Sequence, residues 1–275
     1  MKKTMLLTPV LLSLATGTLA QTAPYAGLWV GTVTVDKVSQ SQYILAPAPN
    51  PCPAPTGNPP VTPPCVATQG TTLTTSPVGN PFTFRLILHV DASGTVRLLK
   101  DVIQMWKPGT GATPGHYVLV TDPSLIPSLS GGALRDGDPV AKRLGTAALD
   151  FPVVAPDFAV VMSGSVSPPG SGTLNVNITL GKDFPTNPFK HKYHPDHDNI
   201  GPDGAVAEAY DVTRSIQLAF LSTDPDGTAT PDYGTSVLAG TYGEQFPAGS
   251  LHKNPIAVSG SFRLRRVSLT ARLNQ

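Results

Sequence analysis

The chain has 275 residues and carries a formal net charge of +1, with 19 lysines and arginines against 18 aspartates and glutamates. This near balance excludes the strongly basic surface that binds nucleic acid or an anionic membrane. Thirty prolines and 26 glycines leave few stretches for long helices and favour short strands joined by turns.

The first twenty residues predict an export signal. Lys2 and Lys3 precede an uncharged apolar run, and small residues up to Ala20 occupy the positions that a signal peptidase reads. Pro9 and the shortness of the run argue against a spanning helix, which needs about 20 apolar residues. We therefore expect residues 1–20 to be a signal peptide, with no transmembrane helix and an exported chain.

A proline-rich stretch near the start of the mature chain contains both cysteines, Cys52 and Cys65. An even number of cysteines in an exported chain favours a disulfide. We predict that residues 44–80 form an insertion clamped by this bond. The alternative is that the two cysteines bind a metal or form a redox pair. It is disfavoured because they are not spaced as CxxC.

Alternation of apolar and polar residues at period two recurs along the mature chain, most regularly in TLNVNITL at 173–180. Only residues 138–148 have the composition of a short helix. The pattern predicts one all-β domain over residues 21–275, an antiparallel β-sandwich or barrel with long loops and at most one short helix. Strands are expected at 28–36, 82–90, 95–99, 101–106, 116–120, 158–166, 173–180, 211–221, 236–243 and 256–267.

The first and last predicted strands resemble those of lipocalin-like barrels. The first contains Gly27-Leu28-Trp29, and the last contains the basic run FRLRR at 262–266. In that family a first-strand tryptophan packs under a late arginine. The resemblance implies a closed barrel in which the first and last strands are neighbours.

The most polar stretch, NPFKHKYHPDHDN at 187–199, lies in a connection of about thirty residues, 181–210. Connections longer than about 12–15 residues are functional or disordered in most domains. The aromatic residues Phe184, Phe189 and Tyr193 argue against disorder. Something is therefore expected to hold this loop in place.

Three interpretations of the loop stay open: self-bonded turns, a Ca²⁺ site, and a Zn²⁺ site. Carboxylate and amide oxygens with nearby glycines suit Ca²⁺, although the spacing is not that of an EF-hand. Zinc would use the histidines, which must approach more closely than an extended chain allows. We predict a metal-stiffened loop at 184–204, Ca²⁺ first and Zn²⁺ second, without an organic cofactor. The candidate ligands are His191, His194, Asp196, His197, Asp198, Asn199 and Asp203.

Other catalytic patterns are weak. Two DxD pairs, Asp136 with Asp138 and Asp224 with Asp226, have the residue types of a glycosidase acid and base, but DxDG is more typical of a surface turn. His89 alternates onto the polar face of its strand, which predicts a solvated side chain.

Four segments together resemble a module of bacterial exported proteins that in some cases ends larger surface proteins with adhesion-type domains. They are GLWVGTVTVDKVSQ, FTFRLILHVDASGTVRLLKDV, TNPFKHKYHPDHDN and LAGTYGEQF with its continuation to FRLRRVS. The resemblance implies an exported or surface setting and no particular reaction.

The leading functional hypothesis is a non-enzymatic module of the cell envelope or cell surface, with a binding or structural role and a cell-envelope or extracellular partner. One alternative is a secreted metal-dependent hydrolase that uses the cluster at 191–203. The other is a lipocalin-like carrier of a small ligand, which requires a closed barrel with an apolar cavity.

Overall fold

The computed structural model describes residues 23–45, 69–130, 141–147, 150–187, 211–227, 230–247 and 255–275. The predicted signal peptide, the centre of the proline-rich insertion with both cysteines, and most of the histidine loop lie outside these residues. Eleven strands are described. They are β1 Gly27–Leu45, β2 Gln69–Val90, β3 Val96–Leu99, β4 Asp101–Lys107, β5 His116–Val120, β6 Ala141–Thr146, β7 Ala159–Ser167, β8 Ser171–Leu180, β9 Val212–Phe220, β10 Val237–Phe246 and β11 Ile256–Ser268.

Eight of these strands form a closed antiparallel barrel in the order β1-β11-β10-β9-β8-β7-β3-β2. Strands that follow one another in the barrel run up and down, and the sheet closes where β1 pairs with β11. The prediction of an all-β antiparallel fold is confirmed, and the barrel rather than the sandwich is the form adopted.

The barrel interior follows the predicted alternation. In β8, Leu174, Val176, Ile178 and Leu180 are buried, while Asn175, Asn177 and Thr179 are exposed. Matching positions of the other strands complete one apolar core. An eight-stranded barrel is just wide enough for side chains to fill it or for one small ligand to enter.

The first and last strands meet as the lipocalin-like resemblance implies. Trp29 is buried at one end of the barrel, and the guanidinium of Arg266 lies 5.3 Å from its ring centre. Gly27 permits the close approach of the start of β1 to the end of β11. Its φ is +129°, and a Cβ there would lie 2.2 Å from the carbonyl oxygen of Ser268.

The chain between β3 and β7 forms a second, three-stranded sheet in the order β5-β4-β6. This sheet packs against the outer surface of the barrel. It covers Leu28, Val30 and Ile87, whose side chains point away from the barrel interior. The far side of the sheet packs against the short helix α1, Ile126–Ser130.

The helix expected at 138–148 was wrong, because Ala141–Thr146 is strand β6 and the single described α-helix lies earlier in the chain. Pairing of β6 with β4 supplies backbone hydrogen bonds that outweigh a weak helical preference. The proline-rich insertion extends the barrel: residues 37–45 of β1 pair with residues 69–77 of β2. In the described part of the chain, no helix has the length and apolar character to cross a membrane.

Candidate functional site: a cavity in the barrel

The barrel has a gap at the end where β8 stops and β9 starts, which we call the mouth. Strand β2 pairs with β3 only at residues 88–90, and β8 pairs with β7 only at residues 171–175. The mouth-side parts of β2 and β8 therefore have no described strand between them. Phe151 occupies the gap, since it is buried and lines a void of 30 Å³ together with Phe84 and Ile178.

A larger cavity of 470 Å³ opens beside this void at the mouth. Aromatic and aliphatic side chains make most of its wall, with two threonines and three charged residues among the described residues. The lining residues are Phe82, Thr83, Phe84, Asp150, Leu180, Thr186, Val212, Arg214, Glu244, Phe246 and Val258. This size lies in the range of about 300–1,000 Å³ that is usual for small-molecule sites.

The base of the cavity holds a buried polar cluster of Arg214, Glu244 and Tyr242. The side chains of Arg214 and Glu244 are 8% and 4% exposed. The Nε of Arg214 donates a hydrogen bond to Oε1 of Glu244, and the Tyr242 hydroxyl donates to Oε2 at 2.7 Å. Both oxygens of the carboxylate are therefore occupied by donors from the protein itself.

Burial and the charges of this cluster shift the pKa values of its own members. Burial, strengthened by the charge of Glu244, raises the pKa of Tyr242 far above its usual range. Burial acts to lower the pKa of Arg214, but its hydrogen bond to Glu244 outweighs this and raises the pKa. Tyr242 stays a neutral donor and Arg214 a cation at every physiological pH.

Aromatic rings fix the cluster and continue into the cavity wall. The ring centre of Phe246 is 5.8 Å from the guanidinium carbon of Arg214, and Phe84 meets Tyr242 edge to face at 5.5 Å. At the rim, Asp150 pairs with the ammonium group of Lys100 at 2.5 Å. The lining therefore combines an apolar wall with one polar base, which is the usual make-up of a small-molecule site.

Arg214 and Glu244 were not among the residues predicted from the sequence. Each points into the barrel. Arg214 shares the inward face of β9 with Val212 and Ile216, and Glu244 shares that of β10 with Tyr242. A charged residue on the apolar face of two strands is the signal that could have identified them.

The predicted metal ligands, His191, His194, Asp196, His197, Asp198, Asn199 and Asp203, lie outside the described residues. The start of their loop is described. Asn187 donates to the carbonyl oxygens of Leu180 and Gly181, and Thr186 lines the cavity. The loop thus begins at the mouth. Within the described chain, no three histidine, cysteine, aspartate or glutamate residues are grouped to hold a metal.

The predicted exposure of His89 was wrong, because its side chain is 1% exposed. It points outward from β2, and the C-terminal segment covers it. Its Nε2 lies 3.1 Å from the carbonyl oxygen of Thr270, which requires Nε2 to be the donor. Nδ1 has no hydrogen-bond partner among the described residues. A second, polar cavity of 350 Å³ lies here, also lined by Asp91, Arg97 and Asp157.

Acid should lower the free energy of unfolding in two separate pH ranges, because of two groups in this region. Burial, with Arg97 nearby, lowers the pKa of His89, although Thr270, Asp91 and Asp157 oppose the shift. His89 therefore takes up a proton on unfolding, and its contribution to stability is lost as the pH falls below about 6.5. Burial acts to raise the pKa of Asp91, but hydrogen bonds from Ser93, Arg97 and Thr95 hold it at about 2.

The Asp91 contribution, roughly 2 kcal/mol, is lost only as the pH falls from about 4 toward 2. Urea unfolding across this pH range should show both losses. In His89→Gln the first should disappear while the second stays. An unchanged profile in the variant would assign the first loss to other groups.

The carboxylates Asp224 and Asp226 hold a structural arginine. Both oxygens of Asp224 accept from Arg263, at 2.9 and 2.8 Å, and Asp226 lies 3.1 Å from the same guanidinium. The hydrogen bonds from Arg263 and Thr230 hold the pKa of Asp224 well below its usual range. This arrangement favours the surface turn over a glycosidase pair. Asp136 and Asp138 lie outside the described residues.

No protein-family model matches the chain, and no curated protein matches it. The fold and the cavity nevertheless define a class: a closed, all-β, up-and-down barrel with a cavity at its mouth. This class is compatible with a binding or carrier role.

Proposed function

We propose that this chain is an exported barrel protein that binds one small, mostly apolar molecule in the mouth of its barrel. The observation that supports this most strongly is the 470 Å³ cavity with an apolar wall and a buried polar cluster at its base. Such a combination takes up the apolar body of a ligand and orients its polar end.

The export that we propose rests on the N-terminal sequence, with its lysines, apolar run and small residues before Gln21. A partner in the cell envelope would deliver or receive the ligand. The metal-stiffened loop at 184–204 stays a prediction, as does the alternative of a metal-dependent hydrolase, since both depend on residues outside the described part of the chain.

Binding can be tested with a neutral apolar fluorophore, N-phenylnaphthylamine, whose emission rises in an apolar cavity. We expect one equivalent to bind. Leu180→Trp adds a large side chain to the cavity wall and should lower the affinity about tenfold or more, because the added ring occupies the volume of the ligand.

Thr179→Trp is the matched control. Thr179 precedes Leu180 in β8 and its side chain is exposed on the outside of the barrel. This variant should bind the fluorophore as the wild type does. Equal affinity in Leu180→Trp and wild type, or no binding by the wild type, would refute the proposed site.

A further inference from the structure

We infer that the ligand is uncharged and carries a hydrogen-bond acceptor, such as an ester or ketone carbonyl, that binds the guanidinium of Arg214. This inference rests on the proposed function and specifies the chemical class of the ligand. Three observations carry it: the occupancy of the Glu244 carboxylate, the remaining donors of Arg214, and the charge balance of the cavity.

The cluster has donors to offer but few acceptors. Glu244 accepts from Arg214 with one oxygen and from Tyr242 with the other. Arg214 uses Nε for this bond, and its guanidinium also interacts with the hydroxyl oxygen of Tyr242. Its two terminal amino groups have no carboxylate partner within the described chain, so N–H donors remain for a ligand. A guanidinium has five N–H donors and no acceptor. A ligand atom that reaches the cluster is therefore best matched if it is an acceptor.

Charge balance argues against an anionic ligand. The cation Arg214 is already compensated by Glu244, and both are almost fully buried. The third charged residue in the described part of the lining is another carboxylate, Asp150, which is compensated by Lys100. A ligand carboxylate would add an unbalanced negative charge in an apolar surrounding, which is strongly unfavourable. A ligand cation would be equally unbalanced.

Stability alone does not require this cluster. Replacing a buried ion pair with apolar side chains of similar volume is often neutral or stabilising, because the desolvation of two charges opposes their attraction. Here the pair borders the cavity rather than the centre of the core. Its position lets the guanidinium contact a bound molecule while Phe246 and Glu244 hold its orientation.

The test uses four ligands with the same alkyl chain, each displacing bound N-phenylnaphthylamine: methyl decanoate, decanoate, decylammonium and decane. Wild-type protein should bind the methyl ester about tenfold more tightly than each of the other three, since a hydrogen bond to a charged group is worth about that factor. The triple variant Arg214→Met/Tyr242→Phe/Glu244→Leu removes both charges, and also the Tyr242 hydroxyl, which would otherwise lose its acceptor and become a free donor. It should bind the ester and decane equally.

The control for the triple variant is its melting temperature, which should stay near the wild-type value and shows that the barrel is folded. Decanoate binding as tightly as the ester would overturn the inference, and so would an ester preference that survives in the triple variant. If none of the four ligands displaces the fluorophore, while Leu180→Trp still weakens fluorophore binding, the inference about the ligand is wrong and the proposed function stands. Failure of the fluorophore to bind overturns the proposed function.

Discussion

Arg214→Met should lower the free energy of unfolding by about 3–5 kcal/mol, because it leaves the carboxylate of Glu244 buried without its cation. Methionine replaces the apolar stem of the arginine but not its guanidinium, so the lost contact with Phe246 adds to the change. Urea unfolding at neutral pH measures the change directly.

Two controls test whether the lost stability comes from leaving a buried charge unpaired or from losing any ion pair. Arg143→Met removes a cation that is 57% exposed and lies 3.8 Å from Asp101, so its effect should stay below about 1 kcal/mol. Arg214→Met/Tyr242→Phe/Glu244→Leu should recover most of the wild-type stability, because it leaves neither a buried charge nor a buried hydroxyl without a partner. If this triple variant were as unstable as Arg214→Met, the cost would not come from an unpaired Glu244.

Trp29→Ala should cost about 3–5 kcal/mol of unfolding free energy. The side chain is 1% exposed, its Nε1 donates to the carbonyl oxygen of Tyr25 at 2.8 Å, and Arg266 covers its ring. The substitution leaves a large void at the end of the barrel where the first and last strands meet. Thermal and urea unfolding should both report the loss.

Trp106→Ala is the matched control, because Trp106 is 38% exposed and lies on the outer sheet, in edge-to-face contact with Tyr117. It should cost clearly less than Trp29→Ala. Equal losses from the two variants would contradict the assignment of Trp29 to the structural core of the barrel.

The all-β antiparallel fold could be predicted from the sequence because apolar and polar residues alternate along several strands, although this alternation left sandwich and barrel open. Residues 173–180 have this pattern throughout, and only one register places Leu174, Val176 and Ile178 inside. The glycine and tryptophan of the first strand and the basic last strand correctly indicated that these strands are neighbours. These are local signals, and a single sequence contains them in full.

Features that depend on contacts distant in sequence could not be predicted. His89 alternates with inward residues, but the C-terminal segment, some 180 residues later, covers the outer face at this point. Ala141–Thr146 has weak local preferences, and it becomes a strand because β4 is available as a partner. The outer sheet buries Ile87 in the same way.

The candidate site was partly within reach of the sequence. Arg214 and Glu244 interrupt two apolar strand faces, which is a visible pattern, but their pairing depends on the register of β9 with β10. The gap between β2 and β8 follows from the shortness of β3, which alternation does not predict. The histidine-rich loop indicated a metal site, whereas the described cavity has a mostly apolar wall with the Arg214–Glu244 ion pair at its base.

The most direct test of the account is a crystal structure of the protein with a bromine-labelled methyl decanoate. We expect anomalous density for the bromine between Phe82, Phe246 and Val258 in the cavity, with the ester carbonyl oxygen in hydrogen-bonding distance of Arg214. Bromine density on the outside of the barrel, or a cavity filled by repacked protein side chains, would contradict the central claim that the barrel mouth is a ligand site.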